Sequence, residues 1–190
     1  MTNEECAHSE LKPDSATIPS SLKHSDDPSL IPVLKDPSPP FYAIPSYEFH
    51  RPDGYYITTD KRSIDFKVVT QYLLHEAYWK DTRTPENILE GGQNSLTFSI
   101  LKRQPGGDVF CGYGRLITDY ATFAYLSDIF VLERERGKGL GKWIVAAMFR
   151  HPNLHNKKMR WLLFTGDAQG LYRPFGFEEY QANNLMYRYG

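Results

Sequence analysis

Cysteine is scarce: only Cys6 and Cys111 occur in 190 residues. Two thiols cannot build a disulfide framework, so the chain is expected in a reducing compartment, the cytoplasm or the nucleus. A basic excess is missing as well. Twenty-two Lys and Arg against 23 Asp and Glu leave a formal charge of −1. Neutralising a phosphate backbone needs a clear cationic surplus, which sets nucleic acid aside as a partner. No run of about 18 apolar residues is present, which argues against a bilayer-spanning helix and a membrane partner. The N-terminus has no apolar stretch behind its first basic residue and does not read as a secretory signal. No internal repeat is visible. What remains is 41 % hydrophobic, 14 % aromatic and 24 % charged residues. That is a globular composition, sized for one domain with or without a tail.

Aromatic residues are wholly absent from residues 1–40, while nine of the 13 prolines fall in the first 52 positions. The same 40 residues hold seven acidic and three basic side chains, leaving +3 for the rest of the chain. Such a segment buries too little surface to offset its ordering entropy. Residues 1–40 are therefore expected to be a disordered tail, with Leu30 to Leu34 as a docking patch. Residues 41–190 form the domain.

Within the domain, Tyr55 to Thr59 reads as a strand behind the Asp53-Gly54 turn. Phe66, Val69, Leu73 and Ala77 recur at helical spacing, predicting a helix from Ser63 to about Trp79. Asp65 sits in its first turn. Pro85 opens a second helix that stops at Gly91-Gly92. Leu96, Phe98 and Ile100 alternate with Thr97 and Ser99, predicting a half-buried strand. Val109 to Thr118 is the return strand of a hairpin. Ala121 to Leu132, almost wholly apolar, predicts a central strand buried on both faces. Leu140, Trp143, Ile144, Ala147 and Met148 mark a helix that Pro152 ends. Arg160 to Thr165 predicts another buried strand, Asp167 to Phe175 a short helix, and Leu185 to Tyr189 the end of a last hairpin.

The most informative stretch is Arg136-Gly137-Lys138-Gly139-Leu140-Gly141-Lys142, between a strand and a helix. A helix start exposes unpaired N–H groups and the positive end of a dipole. Glycines admit a phosphate close to the backbone, and Arg136, Lys138 and Lys142 add charge. A Walker loop and the G-x-G-x-x-G fingerprint both fail, because each puts a required glycine on Lys142. By itself the stretch also fits a tight turn with a solvated cationic rim.

Arg136-x-x-Gly139-x-Gly141 at a strand-to-helix junction resembles the acetyl-CoA pyrophosphate loop of the GNAT superfamily of N-acetyltransferases. A second stretch, Asp167-Ala-Gln-Gly-Leu-Tyr172-Arg-Pro-Phe-Gly176-Phe177, is similar to the family's later motif. The resemblance covers roughly residues 47–190. It extends to a group of small GNAT proteins with a Tyr-Trp pair late in the first helix, here Tyr78-Trp79. It implies a mixed α/β fold: a mostly antiparallel sheet with a splayed pair of parallel central strands and about four helices. It also implies acetyl-CoA as donor, a primary amine as acceptor, and no metal, in a monomer or homodimer. A small-molecule amine is the expected acceptor. A protein lysine or N-terminus, or a non-catalytic CoA-binding module, are the alternatives.

The chemistry that follows is acyl transfer from a thioester to an amine. A free alkyl amine is neutral in only roughly one molecule in a few thousand at pH 7. A base, or selective binding of the neutral form, is therefore needed. The resemblance implies that Ile129, Phe130 and Val131, ending at Leu132, offer N–H groups to pantetheine and the thioester oxygen. The amides of Arg136, Gly137, Lys138, Gly139, Leu140 and Gly141 would hold the pyrophosphate, with Asp167 beside the cofactor. Tyr172 would protonate the departing thiolate; core packing beside Phe175 and Phe177 is its other reading. Asp128, a carboxylate in an apolar strand, is either a general base or the partner of an arginine. Strand alternation places it on one face with Leu126 and Phe130. Tyr78 and Trp79 read as core rather than as an aromatic cage for a cation, Cys111 as a packed thiol, and His75 as a surface or packed residue rather than a catalyst. Asp60 and Asp65 read as helix-start acids. His151 and His155 cannot share a metal, because Pro152 breaks the helix between them.

Overall fold

The computed structural model describes residues 27–34, 45–79 and 83–180. Its centre is a sheet that has, among the described residues, seven strands in the order of the chain: β1 (Val33–Leu34), β2 (Tyr47–His50), β3 (Tyr55–Thr58), β4 (Leu96–Lys102), β5 (Val109–Thr118), β6 (Phe123–Val131) and β7 (Arg160–Leu162). Every neighbouring pair is antiparallel except β6 and β7, which run parallel. Four α-helices accompany it among the described residues: α1 (Phe66–Gln71), α2 (Pro85–Gln93), α3 (Leu140–Arg150) and α4 (Gln169–Tyr172). The mixed α/β class is as expected. The final hairpin expected up to Leu185–Tyr189 lies outside the described residues. No helix among them is long and apolar enough to cross a membrane.

Two cores sandwich the sheet. Leu140, Trp143, Ile144, Ala147 and Met148 of α3 pack on Phe98 and Ile100 of β4, Leu116 of β5 and Leu126 of β6. On the other face Val69, Tyr72, Leu73 and Ile88 cover Phe110, Tyr113, Phe130 and Leu132. Helices on both faces change the burial of two strands. In β4, Thr97 and Ser99 are as buried as Phe98 and Ile100, so the strand is buried on both sides rather than one. β6 instead alternates buried and half-buried residues along its whole length. Its apolar composition suggested burial throughout; every second residue is only partly buried. β7 is shorter than expected and mostly exposed.

The first helix also differs from its pattern. Asp65 is its N-cap, accepting from Val68 N–H at 3.1 Å. After Gln71 the chain widens into a π-helical turn, Tyr72–Glu76, closed by Ala77 N–H donating to Tyr72 C=O. Such insertions rotate the following residues relative to a regular helix. Tyr72 then stacks on Phe130 at 3.9 Å between centroids. Asp60 likewise caps a 3-10 turn, Lys61–Ser63, so both acids have a structural assignment.

Part of the expected tail is docked on the domain. Residues 28–30 form a 3-10 turn capped by Asp27, and β1 pairs with β2. Trp143 Nε1 donates to Ser29 C=O at 3.2 Å in a buried contact. Within the expected docking patch, β1 supplies the pairing; the Ser29 anchor precedes it. The rest of residues 1–40 lies outside the described residues.

Candidate active site

The site begins with a fault in β6. Between Arg115↔Ser127 and Tyr113↔Phe130, β6 advances three residues while β5 advances two. One residue is extra, and Asp128 adopts a left-handed φ of 54°. A bulge of this kind bends a strand and re-aims its side chains. Leu126 consequently faces α3, whereas Phe130 faces α1. The expected common face of Leu126, Asp128 and Phe130 does not exist, because alternation shifts by one residue at Asp128.

Beyond the bulge one edge of β6 opens. Its pairing with β7 covers only Phe123, Ala124 and Tyr125, while pairing with β5 continues to Val131. Leu132 N–H donates to Cys111 C=O at 2.9 Å, so alternation turns the N–H of Val131 the other way, into the gap. Ile129 and Val131, packed against the α3 core, line the strand where it diverges. Of the stretch Ile129 to Leu132, Phe130, paired with Tyr113, and Leu132 thus turn their N–H groups to β5 and are not available as donors.

The gap leads to the glycine loop. A 3-10 turn, Glu133–Glu135, follows the strand, and its C-cap Arg136 spends its N–H on Glu133 C=O. Gly137 and Gly139 have φ of 77° and 75°, a region that disfavours any side chain. A Cβ at either would meet no neighbouring atom, so conformation alone calls for glycine there. Gly139 is the N-cap of α3 and no side chain caps it. Trp143 N–H is the first to reach a helical partner, Gly139 C=O at 3.0 Å. The N–H groups of Gly139, Leu140, Gly141 and Lys142 are left without helical acceptors, at the positive end of an 11-residue helix.

The cations of the loop divide their work. Lys138 Nζ turns back to Glu135 Oε2 at 2.7 Å and Tyr55 Oη at 3.1 Å. Glu135 is buried and also accepts from Tyr55 Oη at 2.6 Å. Burial raises its carboxyl, but the bonds from Lys138 and Tyr55 outweigh that and hold it below the ordinary carboxylate range. The same bonds push the Lys138 ammonium upward. Arg51 Nη1 donates to Lys138 C=O at 3.0 Å. Lys138 thus braces the loop from β3, while Lys142 stays exposed. Arg136 reaches Val131 C=O and Tyr72 Oη, both at 3.3 Å. Loop composition alone conceals the Glu135–Tyr55–Lys138 brace, since Tyr55 is 80 positions away from Glu135.

Two expected catalytic side chains occupy different settings. Tyr172, the last residue of α4, is buried and packs edge-on to Phe177. Burial, with the charges of Tyr78, Asp167 and Tyr125 adding to it, pushes its phenol up to about 12. It therefore carries its proton throughout the neutral range. Asp128 Oδ1 accepts from Arg83 Nη1 at 2.9 Å and Oδ2 from Arg115 Nε at 2.6 Å. Its side chain is 5 % exposed. Asp167 lies exposed in the turn before α4. His75 is exposed, Trp79 packs beside the α1 core, and Cys111 is buried, its thiol pushed up to about 11 by burial. His151 is buried in the core.

Residues 94–179 match the acetyltransferase (GNAT) domain model. The chain is 33 % identical over 147 residues to a Gibberella zeae protein described as a "putative acetyltransferase", covering 67 % of this chain and 81 % of that one. The chain belongs to the GNAT acetyltransferase family. A structure from Xanthomonas campestris pv. campestris, described as a "putative acetyltransferase belonging to the gnat family", shares 32 % identity at a TM-score of 0.64. It aligns over 72 % of this chain and 93 % of its own. A Staphylococcus aureus protein of unknown function shares the fold at a TM-score of 0.55 and 23 % identity, over 71 % of this chain and 99 % of its own. The segment matching the GNAT model runs from just before β4 through α4. It holds the bulge, the open edge, the uncapped α3 start and Tyr172. β1 to α2, with the Tyr55 brace and Tyr78, precede it.

Proposed function

We propose that this GNAT protein transfers an acetyl group directly from acetyl-CoA to the primary amine of a small molecule. The carrying observation is the continuity of the open edge of β6 with the uncapped N-terminus of α3. A chain of N–H donors matches an elongated ligand with an amide-rich arm and a pyrophosphate. The amides of Gly139, Leu140, Gly141 and Lys142 suit the phosphates, and that of Val131 suits the arm or the thioester oxygen. Gly137 and Lys138 shape the turn, and Asp167 borders the donor side. Arg136 holds the strand end rather than lending its amide. The domain comprises residues 41–190 together with the docked segment 27–34, and works as a monomer or homodimer in the cytoplasm or nucleus without a metal. No metal-binding cluster occurs among the described residues.

In this reading the neutral amine attacks the thioester carbonyl and a C–N bond forms. Val131 N–H stabilises the oxygen that gains charge. The C–S bond then breaks and the Tyr172 phenol gives its proton to sulfur. The proton shed by the attacking nitrogen returns to the phenolate through water. Free CoA thiol and the N-acetyl product leave. Asp128 fits the base role less well, since both oxygens already hold arginines; a water relay serves better.

A screen of primary amines with acetyl-CoA, followed by thiol release, tests the reaction. Acetyl-CoA should raise the melting temperature, because it binds the folded chain alone. Gly139→Val should remove that rise by displacing the helix start. An unchanged rise would overturn the pyrophosphate assignment, and absence of thiol release with every amine would overturn the transfer.

A further inference from the structure

Tyr78 follows the π-helical turn, and its side chain is not core: it is 53 % exposed. Its hydroxyl is bonded twice, both times to the stretch after β7. Gly166 N–H donates to it at 2.9 Å, and Thr165 Oγ1 lies 3.2 Å away. Thr165 Oγ1 in turn accepts from Ala168 N–H at 3.0 Å. Ala168 is the N-cap of α4 and offers no side-chain cap of its own. Each hydroxyl oxygen therefore accepts from the backbone, and a proton remains for the bond between them. The ring also lies against the Gly166 backbone, where a Cβ would come within 3.3 Å of Tyr78 Cε2. A side chain there would press the ring back by a few tenths of an ångström.

These contacts act on a helix that cannot hold itself. With four residues, α4 has too few internal bonds to fix its own direction. It carries Tyr172 four positions after Ala168, and Tyr78 lies near enough to Tyr172 to push that phenol upward. The tie also joins the α1 side of the sheet to the far side of the open edge, across 88 positions of chain.

We propose that Tyr78 is a positioning residue for Tyr172: its hydroxyl, through Thr165 and Gly166, fixes the start of α4 and so the place of the Tyr172 phenol. The proposal rests on the reading of Tyr172 as the acid. Tyr78→Phe keeps the ring and removes the tie. Turnover should fall about 10- to 100-fold, the range of a misplaced catalytic group. Acetyl-CoA affinity and melting temperature should stay at wild-type values. Thr165→Val should behave alike. The deciding measurement is the double variant Tyr78→Phe/Tyr172→Phe, assayed with acetyl-CoA and the fastest amine of the screen. If Tyr78 acts through Tyr172, the double variant is no slower than Tyr172→Phe alone. Additive loss, or full turnover in Tyr78→Phe while Tyr172→Phe is slow, overturns the positioning role and leaves the acid intact. Full turnover in Tyr172→Phe itself overturns both.

Discussion

The two edges of β6 differ along the same nine residues. One edge is paired with β5 as far as Val131; the other meets β7 at three residues, and beyond them no strand among the described residues pairs with it. The paired edge sits between two helix-covered cores. The open edge is bordered by a three-residue strand and a four-residue helix, both largely exposed or partly buried. The difference shows a division of labour within one strand. Backbone groups that build the sheet are used up on one side, and those released on the other can meet a ligand. The bulge at Asp128 is where the strand changes from one regime to the other.

Four experiments separate the two edges. The largest effect belongs to the open side. Tyr172→Phe should lower kcat by roughly 10²- to 10⁴-fold, with acetyl-CoA affinity preserved, because the hydroxyl acts as charge grows on sulfur. Steady-state kinetics and a ligand-induced melting shift check both halves of that statement.

Asp128→Asn attacks the junction. It leaves Arg83 and Arg115 facing a neutral amide, and breaking a mostly buried ion pair of this kind should cost about 2–3 kcal/mol. Urea unfolding reads it as a lowered midpoint at constant slope. Stability equal to wild type would show that the bulge is held by the backbone alone.

His151 probes the paired side. It is fully buried between Tyr47 and Phe98, and its Nε2 has no partner among the described residues. Burial lowers its imidazole from the ordinary 6.5 to about 4. Between those values the unfolded chain takes up a proton that the folded chain refuses. Stability should therefore fall as pH drops through that window, by about 3 kcal/mol at its lower end. Comparing unfolding midpoints at pH 7 and pH 4.5 in wild type and His151→Phe isolates the contribution.

The smallest effect is expected at the far edge of the sheet. A chain starting at residue 41 loses β1 and leaves Trp143 Nε1 without its acceptor, which should cost about 1–2 kcal/mol. The melting temperature should drop by several degrees while the acetyl-CoA shift survives. Calorimetry with and without acetyl-CoA decides it; an unchanged melting temperature would show that the docked segment adds no stability.

Much of the paired side was legible in the amino acids. The α3 stripe, the β4–β5 hairpin and the glycine loop follow from spacing and from residue chemistry that acts over one turn of chain. The mixed α/β class and the family could be recognised from the same segment. What escaped depends on partners distant in sequence. Burial of Thr97 and Ser99 follows from cover on the second face of the sheet as well as the α3 face. The extra residue at Asp128 has no local signature, since an aspartate in an apolar run serves equally as base or ion-pair partner. Tyr78 read as core because an aromatic at the end of an amphipathic helix usually is; the π turn re-aimed it. Ser29 belonged to a proline-rich acidic stretch with no periodicity, and its anchor is a single indole.

That anchor has a consequence in time. Trp143 and Ser29 are separated by 114 positions. A contact of that span forms only after a long loop has been closed, and it cannot form until α3 lies on the sheet. Residues 27–34 precede α3 in the chain, so this anchor, unlike the local β1–β2 pairing, waits for α3. Hydrogen exchange should accordingly find the amides of β1 opening first and independently, while those of β4 and β5 open only when the whole domain unfolds.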